Sequence, residues 1–156
     1  MSLVLIVLIL AILIYFYSSY KNKLKILNIN INIIEEKLNS NILKRKELLK
    51  DSEILIKDIT KTKKEIYTNF DILNEKLNMF ELDSKTLSFL NEYNMIKEKN
   101  DKLNKNADFL KLNFNIEENE DDINAYKIYY NKNIEEYNKL VPNKKNKNFF
   151  NIKTRD

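Results

Sequence analysis

An unbroken apolar and aromatic run from Leu3 to Tyr17 opens the chain, and no charged side chain occurs before Lys21. About 20 residues of helix at 1.5 Å each span roughly 30 Å, the thickness of a bilayer's hydrocarbon core. Tyr15, Phe16, Tyr17 and Tyr20 close the run where an aromatic belt belongs. The pattern predicts a membrane-spanning helix over residues 1–20. It lacks the polar face that a core helix turns to water. A cleaved signal peptide needs a basic start and small residues at the cleavage point. This chain starts Met-Ser-Leu and places tyrosines there instead. Lys21, Lys23 and Lys25 follow directly and nothing basic precedes. The positive-inside rule therefore predicts the N-terminus outside and the C-terminal domain cytoplasmic.

After Tyr20 the pattern becomes amphipathic. Leu24, Leu27, Ile31, Ile34, Leu38, Ile42, Arg45 and Leu49 are spaced by three and four, a heptad seam. Leu27 to Ile33 also alternates with period two, as a strand would. The heptad continues on both sides and no turn signal flanks the alternation, so the helix is the reading adopted. Asn39-Ser40-Asn41 favours a turn, which predicts a break between Asn39 and Glu47. Lys44, Arg45 and Lys46 also suit a helix end, where basic groups complement the macrodipole. A second helix is expected to run to about Met79, with Ile59, Ile66, Phe70, Leu73, Leu77 and Phe80 on its seam. A third is expected after a cap at Asp83 or Ser84, with Leu87, Leu90, Tyr93, Ile96 and Leu103 inside. A fourth is expected from near Asp108. Its stripe reads Phe109, Leu112, Ile116, Glu120, Ile123, Lys127, Tyr130, Ile134, Tyr137 and Val141, and Pro142 ends it.

The fold class that follows is all-α: an N-terminal transmembrane helix followed by an antiparallel four-helix bundle with long helices. The domains are an anchor over 1–20, a bundle over 21–142 and a basic tail over 143–156 that carries Lys144, Lys145, Lys147, Lys153 and Arg155. Interruptions near residues 40, 82 and 105 favour a chain that folds back over a long parallel coiled-coil dimer.

Composition narrows the function classes. Hydrophobic residues make up 44% and charged residues 32%, a globular rather than disordered mix. Glycine is absent and proline occurs once, which argues against sheet proteins with their glycine-dependent hairpins and bulges. Without cysteine or histidine the chain has no disulfide, no thiol or His-based catalysis and none of the usual zinc sites. A net charge of +4 with interspersed signs does not make a nucleic-acid face. There is no Gly-x-Ser-x-Gly element and no phosphate-cradling loop. The acidic group Glu117, Glu118, Glu120, Asp121 and Asp122 lacks the glycine and ligand spacing of a calcium loop and reads as a solvated helix face. No enzyme activity, cofactor, metal or small-molecule substrate is therefore expected.

Three charges fall on seam positions otherwise filled by apolar residues: Arg45, Glu120 and Lys127. A lone buried charge is very costly, so each must pair or reach water. Arg45 and Glu120 are expected to pair across the bundle, with Lys127 further along; snorkelling of long stems is the competing reading. Tyr130-Asn131 and Tyr137-Asn138 recur one heptad apart, and their tyrosines are expected to fill core space.

The segment Ile42-Leu-Lys-Arg-Lys-Glu-Leu-Leu49 resembles the "LKRRxDLI" block of the LemA family of bacterial membrane proteins. The spacing Phe109, Leu112, Ile116, Glu120, Ile123, Lys127, Tyr130-Asn131, Ile134, Tyr137-Asn138, followed by Pro142, resembles its C-terminal block "FxxLxxxLxxxExxIxxARxxYNxxVxxYN". The likeness extends from about residue 22 to 142. Glu35 stands where the family often has tryptophan, Lys50 replaces a proline, and Lys127 replaces an arginine. The resemblance implies one N-terminal span followed by a helical bundle, in a family with no settled biochemical activity. The expected role is an interaction or scaffold module at the cytoplasmic membrane surface, holding the bilayer through residues 1–20 and binding an unknown protein. The alternative is a coiled-coil oligomerising subunit of an envelope complex.

Overall fold

A computed structural model describes residues 2–141 and residue 150. Three α-helices, α1 Ser2–Thr60, α2 Met79–Glu98 and α3 Ala107–Leu140, account for most of them, with 3-10 turns at Phe70–Asn74 and Leu103–Lys105 and no strand among the described residues. The basic tail expected over 143–156 lies outside the described residues apart from Phe150.

The first helix is 59 residues and, at 1.5 Å per residue, about 90 Å long. The break expected between Asn39 and Glu47 is absent. Asparagine favours turns because its side chain competes for nearby backbone groups. Here Asn41 satisfies that tendency inside the helix: its Nδ2 donates to Lys37 O at 3.0 Å, and its Oδ1 accepts from Asn119 at 3.2 Å. The seam runs through without a phase change, with Leu27, Ile31, Leu38, Ile42, Arg45, Leu49, Ser52 and Ile56 all buried. Ahead of it, the side chains from Leu3 to Tyr17 are unpacked, and the large apolar ones there are 53–75% exposed. This part of α1 is long and apolar enough to cross a membrane.

Helix α1 ends at Thr60, and Lys61 takes a left-handed φ of 55°. That is the usual C-terminal stop, made here without glycine. The second helix expected to reach Met79 does not form, so the described residues hold three helices rather than four. The connector 61–78 instead runs back along α1. Tyr67 hydrogen-bonds Ser52, and the Lys46 ammonium donates to Leu73 O at 2.6 Å and to Asn74 Oδ1 at 3.1 Å. Its apolar residues were read on the wrong backbone but belong to the core. Tyr67 and Leu73 are buried, and Ile66, Phe70, Leu77 and Phe80 pack against them. Tyr67 stacks on Phe70 at 5.4 Å, and both rings meet Phe89 edge-on. Lys61 and Asn69 both take the left-handed region, which asparagine visits readily and which costs the lysine roughly 1–2 kcal/mol.

Helix α2 is capped by Asn78, whose Oδ1 accepts from Glu81 N while the Glu81 carboxylate accepts from Asn78 N. This capping box starts the helix one turn before the expected Asp83 or Ser84. Asp83 is thereby released from capping and turned into the core. Helix α3 starts at Ala107, with Asn106 Oδ1 accepting from Phe109 N at 3.0 Å, and ends at Leu140 before Pro142. Partners on α1 rise in number as those on α3 fall: Tyr20 with Leu140, Glu35 with Tyr130, Arg45 with Glu120. The far end of α1 therefore lies beside the start of α3.

Proline at Ser40, an exposed position in α1, tests the continuity of the helix. Ser40→Pro is expected to lower stability by about 3 kcal/mol while Ser40→Ala is nearly neutral. Thermal melts by circular dichroism in detergent read both. Equal melting of the two variants would mean that the chain turns there.

Candidate functional site

The three helices meet around Arg45. It sits on the α1 seam between Ile42 and Leu49 and is 1% exposed. A guanidinium has N–H donors on three nitrogens in a fixed fork, and each nitrogen finds an acceptor here. Nε donates to Thr86 Oγ1 at 2.9 Å, Nη1 to both Glu120 oxygens at 2.9 and 3.2 Å, and Nη2 to Asp83 Oδ1 at 2.6 Å and Asp83 O at 3.0 Å. Thr86 passes its own proton back to Leu82 O at 2.8 Å. The other Asp83 oxygen meets Lys127 Nζ at 2.7 Å. One carboxylate thus bridges a cation from α1 and a cation from α3. Arg45 and Lys127 balance Asp83 and Glu120, so the buried group is neutral. That balance is what makes its burial tolerable, since each unpaired ion would cost several kcal/mol. Water reaches it on the Glu120 side, whose side chain is 13% exposed.

Of the positions singled out by the seam pattern, Arg45 and Glu120 are brought into direct contact, and Lys127 joins them through Asp83. Tyr130 is buried, and its hydroxyl donates to Glu35 Oε1 at 3.2 Å. Tyr137 is only partly buried against the core. The roles of Asp83, expected as a cap, of Asn131, quoted with Tyr130, and of Thr86 and Phe150 were not anticipated. For Asp83 and Thr86 a signal existed: with Leu90, Tyr93 and Lys97 they follow the same three-and-four spacing as the other seams.

Three tyrosine hydroxyls are held protonated well above the usual 10.0. Burial is the main cause for all three. Nearby Glu53 and Glu92 add to it at Tyr67, Tyr67 and Glu117 at Tyr93, and Glu35 at Tyr130. Among the described residues no group of three or more acidic side chains is placed to hold a metal ion. A cleft of about 880 Å³ is an open groove between α1 and the connector where Lys46, Lys50 and Lys57 alternate with Glu47, Glu53 and Glu65. Its charges are mixed and mostly solvated, which suits a surface better than a site for chemistry. The Arg45 group turns its donors toward acceptors of the protein itself.

The LemA family profile matches residues 39–155, well over half of the chain. The chain belongs to the LemA family. No curated protein and no solved structure matches it. The LemA match begins inside α1 and takes in all four residues of the charge network.

Because Asp83 holds two cations, Asp83→Ala is expected to cost this LemA domain more than any other single change in the network, about 3–5 kcal/mol. Glu120→Ala should cost less, because Arg45 then keeps Asp83 and Thr86. Arg45→Lys should behave as a loss, since an ammonium puts its donors on one atom and cannot reach the partners that Nε, Nη1 and Nη2 meet separately. A double-mutant cycle on Arg45→Ala and Glu120→Ala, read by unfolding in detergent, is expected to show coupling of about 1 kcal/mol or more. Strict additivity would rule out a working pair.

A second expectation concerns alkali. The unfolded chain releases the protons of Tyr67, Tyr93 and Tyr130 above pH 10.0, whereas the folded chain retains them. Their contribution to stability is full below that pH and is lost as pH rises through the folded values. Spectrophotometric titration should show these three ionising together with loss of the helical signal, and Tyr130→Phe should lessen the alkaline loss.

Proposed function

We propose that the chain is a membrane-tethered, non-enzymatic interaction module, with residues 1–20 in the bilayer and the helical domain at the cytoplasmic surface. The observation that carries this reading is the unbroken passage of α1 from an unpacked apolar stretch into a packed seam. A core helix of a soluble domain would bury its apolar residues, and the large ones between Leu3 and Tyr17 are all more than half exposed. Among the described residues, Tyr20 ties this end of α1 to α3, its hydroxyl donating to Leu140 O at 2.8 Å. Lys23 approaches Glu136 at 3.9 Å just beyond. The domain would thus begin at the headgroup level, and its α2–α3 turn would stand farthest from the membrane. Lys21, Lys23 and Lys25 support the cytoplasmic side. The charge network supports a scaffold: it is saturated internally and fixes how the three helices meet.

A second reading, self-association, draws on a different face of α1. Ile26, Ile29 and Ile33 are 58, 48 and 52% exposed and lie on one stripe spaced by three and four. Sedimentation equilibrium of the full chain in density-matched detergent separates the two readings. A monomer supports the simple module, and a concentration-dependent dimer supports the oligomerising subunit.

Lys105→Cys, on the exposed α2–α3 turn, gives the topology test, because the native chain has no cysteine. The expected result is protection from a membrane-impermeant thiol reagent in intact cells and labelling after lysis. Labelling in intact cells would reverse the orientation. Release of the chain into the supernatant by alkaline carbonate would remove the tether altogether.

A further inference from the structure

The described chain resumes at Phe150, which is 4% exposed. Its ring stacks on Phe80 with centroids 4.3 Å apart and meets Tyr130 edge-on at 5.2 Å. Lys127 Nζ lies 5.6 Å from the ring centroid. Its backbone is clasped by a single side chain: Phe150 N donates to Asn131 Oδ1 at 2.9 Å, and Asn131 Nδ2 donates to Phe150 O at 2.8 Å. A carboxamide that reads both backbone groups of one residue, beside a slot for its ring, is the division of labour found in peptide recognition. Main-chain bonds give affinity and the pocket gives selectivity.

The walls of this slot are set without Phe150. Tyr130 is fixed by its hydroxyl bond to Glu35 on α1, and Lys127 by its ion pair with Asp83 on α2. Asn131 shares the rigid α3 backbone with both. A slot held from behind in this way keeps its shape when its occupant leaves, which lowers the cost of refilling it.

We propose that Phe80, Lys127, Tyr130 and Asn131 form a peptide-binding site for an aromatic residue of a non-helical segment, and that Phe150 is its built-in, exchangeable ligand. Phe150 lies 19 positions along the chain from Asn131, and a ligand tethered within the same chain has an effective concentration of about millimolar, which an outside segment must outcompete. This inference goes beyond the tethering role and does not rest on it, since it is read in micelles, where neither anchoring nor orientation enters.

The test uses the full chain in detergent and a fluorescent peptide of residues 146–154, followed by anisotropy. The peptide is expected to bind the Phe150→Ala chain saturably and the wild-type chain at least about tenfold more weakly. A peptide carrying Phe150→Ala should not bind. Adding Asn131→Ala to the chain should weaken binding about tenfold, the loss expected for two hydrogen bonds. No binding to a Phe150→Ala chain that still melts cooperatively overturns the proposal. Should that variant fail to fold, Phe150→Trp reports on the same slot, because the native chain has no tryptophan. Blue-shifted emission that moves red with about 10 mM unlabelled peptide supports exchange. Water-like emission from the outset, or blue emission that the peptide never moves, overturns it.

Discussion

A charged guanidinium at 1% exposure is the constraint around which the rest is arranged. Heptad seams built from leucine and isoleucine are nearly degenerate in register. Sliding one helix past another by seven residues exchanges one apolar contact for another of similar size. Arg45 removes that degeneracy. A slip of one heptad would strand Arg45, Asp83 and Lys127 in apolar surroundings, at several kcal/mol each, against a total domain stability of about 5–15 kcal/mol. The network need not add net stability over an apolar core to have this effect, because it penalises the alternatives. Its fork-shaped donor set also fixes angle. Glu120 is gripped by both oxygens, and Asp83 by a side-chain and a backbone oxygen.

The same constraint accounts for the connector. Asp83 must face Arg45 while Phe80 faces Tyr130, so the start of α2 has to lie well back along α1 from Thr60. The chain covers that return through residues 61–78 as an irregular strap. A strap has more unpaired backbone than a helix, and side chains from α1 answer part of that need. Lys46 binds Leu73 O, and Glu53 accepts from Ile66 N at 3.5 Å. Both residues lie on α1 beside the buried seam, so the first helix serves the bundle on one face and the strap on the next.

The all-helical class and the α1 and α3 stripes were legible in the sequence because three-and-four spacing survives whatever the connections do. The end of α3 was legible because proline restricts the residue before it, and Val141 indeed leaves the helical region at φ −130° and ψ 62°. The break in α1 was misplaced because Asn39, Ser40 and Asn41 were weighed by local propensity. Asn41 is held in the helix by Asn119, a partner 78 positions away that no local pattern displays. The strap was mistaken for a helix because Ile59, Ile66, Phe70, Leu73 and Leu77 keep a roughly helical spacing while packing as a cluster. The same misplacement concealed Asp83. With two cations and one acid assigned to the seams, charge balance already required a second acid, and Asp83 was spent on a cap that Asn78 supplies.

Two neighbouring residues show how the core network and the tail come to share one structure. On a helix, adjacent side chains diverge by about 100°, so Tyr130 and Asn131 point to different surroundings. Tyr130 turns inward, to Glu35 on α1, and gives its ring to the slot wall. Asn131 turns outward and takes the backbone of Phe150. Lys127, one turn earlier on α3, has its ammonium on Asp83 and within cation–π range of the Phe150 ring. Lys127 therefore faces both the charge network and the Phe150 ring. The slot and the charge network thus share a single ammonium group, and α3 sets its place in both.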